Sequence, residues 1–337
     1  MDQPSNLLWI QTIWLEKASS WIENELRRQG IQRMGPIEQP HIRPWSTVLR
    51  IPTNLGDIYF KAVVPELAYE SALTQTLSYR YPHCMPHVLA SNREHGWLLM
   101  SDGGNRLRER LKTEDDIQHW QVVLPIYAEM QKRSVPHLGE LLELGLPDRR
   151  LAILPTKFRE LLTNTEALAL NHPGGLSAVE YQQLQDSVDL CARLCEQLAA
   201  FGLPETLDHG DLHDGNVFIH EGQYLLFDWG DSSAAHPFFT IRNTYESLER
   251  RFGLAKSSSW FQRLRDCYLE LWTEYKTREK LEEAFALAQQ LSPIPSALRW
   301  LPVVASMDEA TRNKYIEPIP SLLREFLHRV EDHEDKR

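Results

Sequence analysis

The 337-residue chain has little of what marks several whole classes of protein. Its cysteines are only four, Cys84, Cys191, Cys195 and Cys267, with no C-x-x-C pair among them. That argues against a disulfide scaffold or a zinc cluster, and predicts small apolar filling for Cys191 and Cys195, which stand i,i+4 on an expected helix. No run of 18 apolar residues occurs, so no membrane-spanning helix is expected. Basic residues are in deficit: 36 Lys and Arg face 47 Asp and Glu, a formal net charge of −11. Such a surface repels polyanions, which argues against nucleic acid and against an anionic membrane as partners, while it suits a cationic small molecule. Internal repeats and low-complexity linkers are also missing. The opening "MDQPSNLLWIQTIWLEKASSWIENELRRQG" lacks a basic segment followed by an unbroken apolar core. It reads as an amphipathic helix with Ile10, Ile13, Trp14, Trp21 and Ile22 toward one side, not as a signal peptide. The cytoplasm is the expected compartment.

What is present suits a soluble globular protein: 42% apolar and 25% charged residues, on a chain long enough for two domains. Two regions differ in pattern. Up to about residue 101 strands are prominent, and "STVLRIP" and "DIYFKAVV" read as a hairpin joined by "TNLGD". "PELAYESALTQTLSYRYP" follows as a helix opened by Pro65, with Ala68, Ala72, Leu73 and Leu77 available for burial. "GWLLMSDGG" is a further strand with a Gly-rich exit. From about residue 113 helices dominate. Thr113 caps one that carries Ile117, Trp120, Leu124, Tyr127 and Met130 on one side and bends at Pro125. "SAVEYQQLQDSVDLCARLCEQLAAFG" is predicted as a single helix opened by a capping box, Ser177 with Glu180, and ending at Gly202. More helices follow residue 240, among them "SSSWFQRLRDCYLELWTEY" and "IPSLLREFLHRVED". The expected domains are therefore 1–101, sheet-bearing, and 102–337, mostly helical: an α+β chain.

The stretch "LDHGDLHDGNVFIHEGQYLLFDWGD", residues 207–231, crowds charge around two short apolar runs. Val217–Ile219 and Tyr224–Phe227 are strand material, and His220-Glu221-Gly222-Gln223 is the expected turn. Asn216 and Asp228 then lie six positions either side of Gly222, and an in-register hairpin brings them to about 5 Å between Cα atoms. An amide oxygen beside a carboxylate is a suitable pair of hard ligands for magnesium. Asp211, on the loop entering the hairpin, is left over from metal binding and free to take a proton. A proton acceptor with an Asn/Asp metal pair is a working set for moving a phosphoryl group from a magnesium nucleotide to a hydroxyl, chemistry that needs positioning and charge neutralisation.

"HGDLHDGN" followed by "LLFDWGD" resembles the catalytic loop and metal-binding segment of the aminoglycoside phosphotransferase and choline kinase family. The resemblance implies a protein-kinase-like two-lobed fold, with a small N-terminal lobe bearing an antiparallel sheet and a larger, mostly helical C-terminal lobe. It implies an ATP- and Mg2+-dependent phosphotransferase acting on a hydroxyl of a small molecule, aminoglycoside-like or an amino alcohol. Carried over by position, Asp211 resembles the catalytic base, Asn216 and Asp228 the metal ligands, and His209 a histidine that braces the loop. Such a fold needs a strand lysine for the nucleotide phosphates and a helical glutamate to orient it. Lys61 in "DIYFKAVV" and Glu70 in "LAYESAL" stand where these are expected, with Glu66 as the alternative acid. "WLLMSDGG" is then the hinge, the backbone around Met100 and Ser101 facing the adenine.

Two departures go with the likeness. No G-x-G-x-x-G precedes Lys61, so a loop such as "HIRPWST" is expected to cover the phosphates, with Ser46 or Thr47 as donors. His236 stands before Pro237, where many aminoglycoside kinases carry an acidic residue, and is expected to be structural. Asp231 is expected to have a loop role, with support of the metal site as the alternative, and His213 and Asp214 divide between substrate contact and loop polarity. Two rival function classes fit parts of the pattern. A metal-dependent hydrolase would use the alternating His209, Asp211 and His213 as ligands, predicting tightly held zinc and leaving Lys61 without a role. A catalytically inactive kinase-like binding protein would keep the parts without turnover.

Overall fold

The computed structural model of the protein describes residues 7–170 and 172–334. Its α-helices and strands run in the order α1 (Thr12–Arg28), β1 (Glu38–Ile42), β2 (Ser46–Thr53), β3 (Gly56–Val63), α2 (Tyr69–Arg80), β4 (Val88–Asn92), β5 (Trp97–Ser101) and β6 (Asn105–Arg106). There follow α3 (Leu107–Arg110), α4 (Trp120–Ser134), α5 (Leu138–Glu143), α6 (Leu154–Thr163), α7 (Ala178–Asp186) and α8 (Val188–Ala199). Then come β7 (Thr206–Asp208), β8 (Val217–His220), β9 (Gln223–Leu226) and β10 (Ser233–Ala235). The last are α9 (Ile241–Phe252), α10 (Ser259–Glu270), α11 (Arg278–Leu291), α12 (Pro293–Ala305), α13 (Glu309–Arg312) and α14 (Pro318–Glu334). The chain forms two compact units. One takes residues up to Gly104 with Ile219–Gly230 and Pro302–Lys314, and the other takes Asn105–Phe218, Asp231–Leu301 and the residues from Tyr315.

The first unit holds an antiparallel five-stranded sheet in the order β1-β2-β3-β5-β4. Strand alternation decides its two faces. Ile58, Phe60 and Ala62 of β3 are buried, and the Phe60 ring meets Trp14, Trp21 and Trp97 at centroid distances of 5.6–6.2 Å. Period two therefore turns Lys61 to the opposite face. Helix α1 supplies that aromatic cover through a stripe at four-residue spacing, Trp14, Ala18, Ile22 and Leu26. Ile13, expected on the same side, is instead 68% exposed, because one residue along a helix rotates the side chain by about 100° away from the Trp14 stripe.

The second unit is mostly helical. The helix expected from Thr113 begins as a 3-10 segment, Glu114–His119, closed by a Thr113/Asp116 capping box, and continues as α4 through Pro125. Ile117, Trp120, Leu124, Tyr127 and Met130 are all buried, as their spacing predicts. The single helix expected over 177–202 is two. Its Ser177/Glu180 capping box is present, but the chain breaks at Ser187, whose hydroxyl donates to the Leu184 carbonyl at 2.7 Å and so competes with the helical ladder. Cys191 and Cys195 are buried filling on α8.

The β8–β9 hairpin is tighter than the sequence suggests. Only Glu221 and Gly222 form its loop, with φ of 49° and 82°. Two left-handed residues in a two-residue loop match the twist of the flanking strands. His220 and Gln223 are thus strand residues, and the hairpin's centre lies between Glu221 and Gly222. The expected register, symmetric about Gly222, is therefore shifted by one residue, and Asn216 and Asp228 are not symmetric partners along the hairpin.

Candidate active site

Each unit brings together part of the expected residue set. In the first, Lys61 projects from β3 with its side chain 14% exposed. Its ammonium lies 2.5 Å from Glu70 Oε1 and 2.6 Å from Asp228 Oδ1. Glu70 stands in the first turn of α2 and is buried; Glu66, the alternative acid, is exposed in the preceding 3-10 turn. Burial alone would lower the Lys61 pKa, but the charges of Asp228 and Glu70 outweigh it and hold the ammonium above its ordinary range. Lys61 is thus a fixed cation between two carboxylates.

Asp228 lies two residues past the end of β9 and sits at φ +65°, a region that non-glycine residues rarely occupy. The local packing fixes it there. The Leu226 amide donates to the Cys84 carbonyl at 2.8 Å, and the buried Trp229 indole donates to the Leu226 carbonyl at 3.1 Å. The Tyr69 hydroxyl, beside Glu70, donates to the Gly230 carbonyl at 2.5 Å. The strained residue keeps its carboxylate 51% exposed and turned onto Lys61. Strain of this kind persists only where the surroundings over-determine it.

The expected adenine and phosphate segments take more definite form. Met100 is buried inside the sheet, paired with Tyr59 and Val88, and the Ser101 amide donates to the His87 carbonyl at 3.0 Å. Asp102 is the first residue past the strand. In the β1–β2 loop neither expected donor is available. Ser46 and Thr47 are both buried, and the Thr47 hydroxyl is committed to the His41 carbonyl at 2.8 Å. Strand pairing draws both into β2, so the loop itself is only residues 43–45.

In the second unit the loop after β7 carries Asp211 and Asn216. Gly210 has φ +75°, and a Cβ there would lie 2.2 Å from the Asp231 carbonyl oxygen, so the turn needs glycine. The His209 amide donates to the Tyr127 hydroxyl at 2.9 Å, and His209 Nδ1 accepts from the Asp211 amide at 3.3 Å. His209 is fully buried and braces the loop. Asp211 Oδ1 accepts from Asn243 Nδ2 at 2.9 Å and from the Arg299 guanidinium at 2.8 Å. Its Oδ2 has looser neighbours, His213 Nε2 at 3.4 Å and Asn216 Nδ2 at 3.5 Å. Burial would raise the Asp211 pKa, but Arg299 and then His213 override it and hold the carboxyl well below its usual range. The Asn216 side-chain nitrogen donates to the Asp211 backbone carbonyl at 3.0 Å, a bond that does not involve the Asn216 side-chain oxygen.

The remaining motif residues have structural partners. Asp214 is buried and accepts from Arg108 at 3.1 Å, Arg251 at 2.5 Å and Ser247 at 3.2 Å. His213 Nδ1 accepts from the Gly215 amide at 2.9 Å, which puts its proton on Nε2, the nitrogen nearest Asp211. His236 is buried, accepts the Phe238 amide at 3.3 Å and is pushed down to about 3 by desolvation, a neutral structural ring as expected. Asp231 faces Arg299 at 3.9 Å. The zinc-hydrolase alternative fails on this geometry: His209 is buried with Nδ1 committed to the loop, and among the described residues no three His, Cys, Asp or Glu side chains are grouped to hold a metal.

Sequence reasoning missed Arg299 and Asn243. Both belong to helices without a motif, and each meets Asp211 only through the fold, across 88 and 32 residues of chain. A faint signal existed in "TIRNT". Thr240, Asn243 and Thr244 share one helical face, and they bond the Gly210 amide at 2.9 Å, the Gly210 carbonyl at 2.6 Å and the Leu212 carbonyl at 2.8 Å.

Among known proteins, the profile of the phosphotransferase enzyme family matches residues 48–277. Solved structures with a similar fold include an ethanolamine kinase from Plasmodium vivax, at 13% identity and a TM-score of 0.64, covering 93% of this chain and 89% of that one. A choline kinase from Cryptosporidium parvum Iowa II aligns at 12% identity and 0.62, covering 94% and 97%. A macrolide 2′-phosphotransferase from Brachybacterium faecium aligns at 14% and 0.55, covering 89% and 98%. At these identities the likeness is one of fold, the protein-kinase-like arrangement expected from the motif. No curated protein sequence matches the chain. Among the described residues no helix is long and apolar enough to cross a membrane.

Proposed function

We propose that this chain, which belongs to the phosphotransferase enzyme family, moves the γ-phosphoryl group of ATP to a hydroxyl of a small molecule with magnesium bound. The observation that carries the reading is the half-buried lysine of β3 held between Glu70 and Asp228. A surface lysine has no reason to be so fixed; a lysine that must present its ammonium to phosphate oxygens does. Lys61 binds the nucleotide phosphates, and Glu70 keeps the ammonium aimed. The backbone at the end of β5, around Met100 and Ser101, meets the adenine.

Asp228 and Asn216 are the proposed magnesium ligands. Their donor set fits the ion: one exposed carboxylate and one amide oxygen whose nitrogen partner is already committed, both hard oxygen donors. Magnesium there would offset charge on the transferring phosphates. Asp211 orients the acceptor hydroxyl through Oδ2. The acceptor oxygen bonds to the γ-phosphorus, the P–O bond to ADP breaks with its electron pair leaving on ADP, and the hydroxyl proton passes toward Asp211. His213, with its proton on Nε2, stands beside that oxygen.

The chain's acidic balance supports a cationic acceptor. A coupled ADP-release screen of amino alcohols, amino sugars, macrolides and neutral sugars tests the reading, with Asp211→Asn as the control. Removing a group that handles the hydroxyl proton typically lowers the rate by about 10²–10⁴, so that variant should lose turnover in this range with nucleotide affinity little changed. Normal turnover by Asp211→Asn would overturn the assignment.

A further inference from the structure

We infer that Arg299 of α12 and Asn243 of α9 are positioning residues for Asp211, fixing which of its two oxygens meets the acceptor. The inference rests on the proposed role of Asp211. Two donors on two different helices grip the same pair of acceptors. The Arg299 guanidinium reaches the Gly210 carbonyl at 2.5 Å and Asp211 Oδ1 at 2.8 Å. Asn243 Nδ2 reaches the same carbonyl at 2.6 Å and the same Oδ1 at 2.9 Å. One peptide oxygen and one carboxylate oxygen of consecutive residues are thereby locked together, which fixes both the backbone and the side-chain torsions of the aspartate.

The consequence is an inequality between the two carboxylate oxygens. Oδ1 is saturated by two short, charge-assisted or amide bonds. Oδ2 has only contacts of 3.4 and 3.5 Å and can accept a hydroxyl. Without the clamp the carboxylate could rotate and present either oxygen, and the near-attack geometry would be one state among several. Both clamping residues are themselves held. Arg299 is 13% exposed and also faces Asp231. Asn243 is buried, next to Arg242, which is tied to Glu325 and Glu246.

The test uses the full chain with magnesium ATP alone, water serving as acceptor, and follows ADP release at saturating and subsaturating nucleotide. Arg299→Met and Asn243→Ala should each lower kcat by about 10–100-fold, the scale of an ångström-sized misplacement of a reacting group, while KM for magnesium ATP stays within about threefold. Arg299→Lys should recover part of the loss, since an ammonium can still reach Oδ1 but lacks the planar fork. The decisive arm is Arg299→Met placed in the Asp211→Asn background. A residue acting through Asp211 should cost less than about threefold further there, because coupled residues are not additive. A full additional loss in that background, or kcat unchanged in both single variants, overturns the inference. If Arg299→Met does not fold, Asn243→Ala and its pairing with Asp211→Asn carry the same comparison. Should Asp211→Asn itself turn over normally, the base assignment fails, a result distinct from failure of the clamp.

Discussion

Two glycines with nearly the same backbone conformation separate strain from catalytic placement. Gly210 has φ +75° and Gly222 has φ +82°. Alanine at either position carries the left-handed penalty of about 1–2 kcal/mol. Their surroundings differ. At Gly222 nothing lies within 4 Å of the added Cβ, whereas at Gly210 it would stand 2.2 Å from the Asp231 carbonyl oxygen and 2.9 Å from its carbon. Ordinary contact begins near 3.4 Å, so the loop must retreat by about 1 Å. The obstacle is backbone beside β10, which pairs with β7, so no side chain can swing away to relieve it. A displacement of about 1 Å at reacting groups can lower a rate about 10²-fold. Gly222→Ala should therefore unfold at a lower temperature with turnover within about threefold of the parent. Gly210→Ala should lose at least about 10²-fold in turnover as well as stability. Thermal unfolding and ADP release measured on the same preparations decide the matter. Equal turnover for the two variants would refute the claim that the close approach at Gly210 sets the position of Asp211.

Three further outcomes are expected. Asp228→Ala should abolish magnesium-dependent nucleotide binding in titration calorimetry, and unchanged binding would rule out its metal role. Lys61→Met should weaken ATP binding by about 10–100-fold, the scale of one hydrogen bond to a charged group, and a Kd within threefold of the parent would remove Lys61 from the phosphate site. Glu205 is pushed up to about 7 from its ordinary 4.5, first by burial and against the hydrogen bond from the Leu151 amide. Its protonated form is the one the fold prefers, so the stability it contributes is present below about pH 4.5 and lost as pH rises through about 7, about 3 kcal/mol in all. Glu205→Gln should accordingly gain stability over the parent at pH 8 and not at pH 4.5, as urea unfolding at the two pH values will show.

Much of the fold was legible because period and turn chemistry are local. The β2–β3 hairpin, the Pro65 start, the Ser177/Glu180 capping box and the buried stripe of α4 each follow from residues within one or two turns of each other. The errors were local too, where a side chain or a turn departs from the default. Ser187 divides a helix through its own hydroxyl, and Glu221 enters the left-handed region, which no propensity predicts for glutamate. The proposed site could be suggested from the sequence only where its residues are close along the chain. Asp211, Asn216 and Asp228 stand together in one stretch, and Lys61 with Glu70 on a strand and the next helix. Arg299 and Asn243 were not legible, because an arginine in "SALRW" and an asparagine in "IRNT" acquire meaning only from the loop that the fold lays against them.

The crowding of Asp208, Asp211 and Asp214 shows what those neighbours decide. The three are evenly spaced and chemically identical, yet each meets a different environment. Asp208 is buried against Tyr127 and pushed up to about 6, chiefly by desolvation. Asp214 is buried and neutralised by Arg108 from α3 and Arg251 from α9. Asp211 alone combines a carboxyl held below its usual range with 25% exposure and an oxygen that lacks a close partner. Environments that drive like groups apart are what allow one of several carboxylates to do chemistry while the others hold the frame. The same division governs how variants should be read. Removing Arg108 and Arg251 together would strand a buried charge at Asp214, a defect of folding on the order of 3–5 kcal/mol, so lost activity there carries no mechanistic weight. Asp211→Asn removes a charge that Arg299 and Asn243 already hold in place, and it is the substitution in this loop whose kinetic effect bears directly on the reaction.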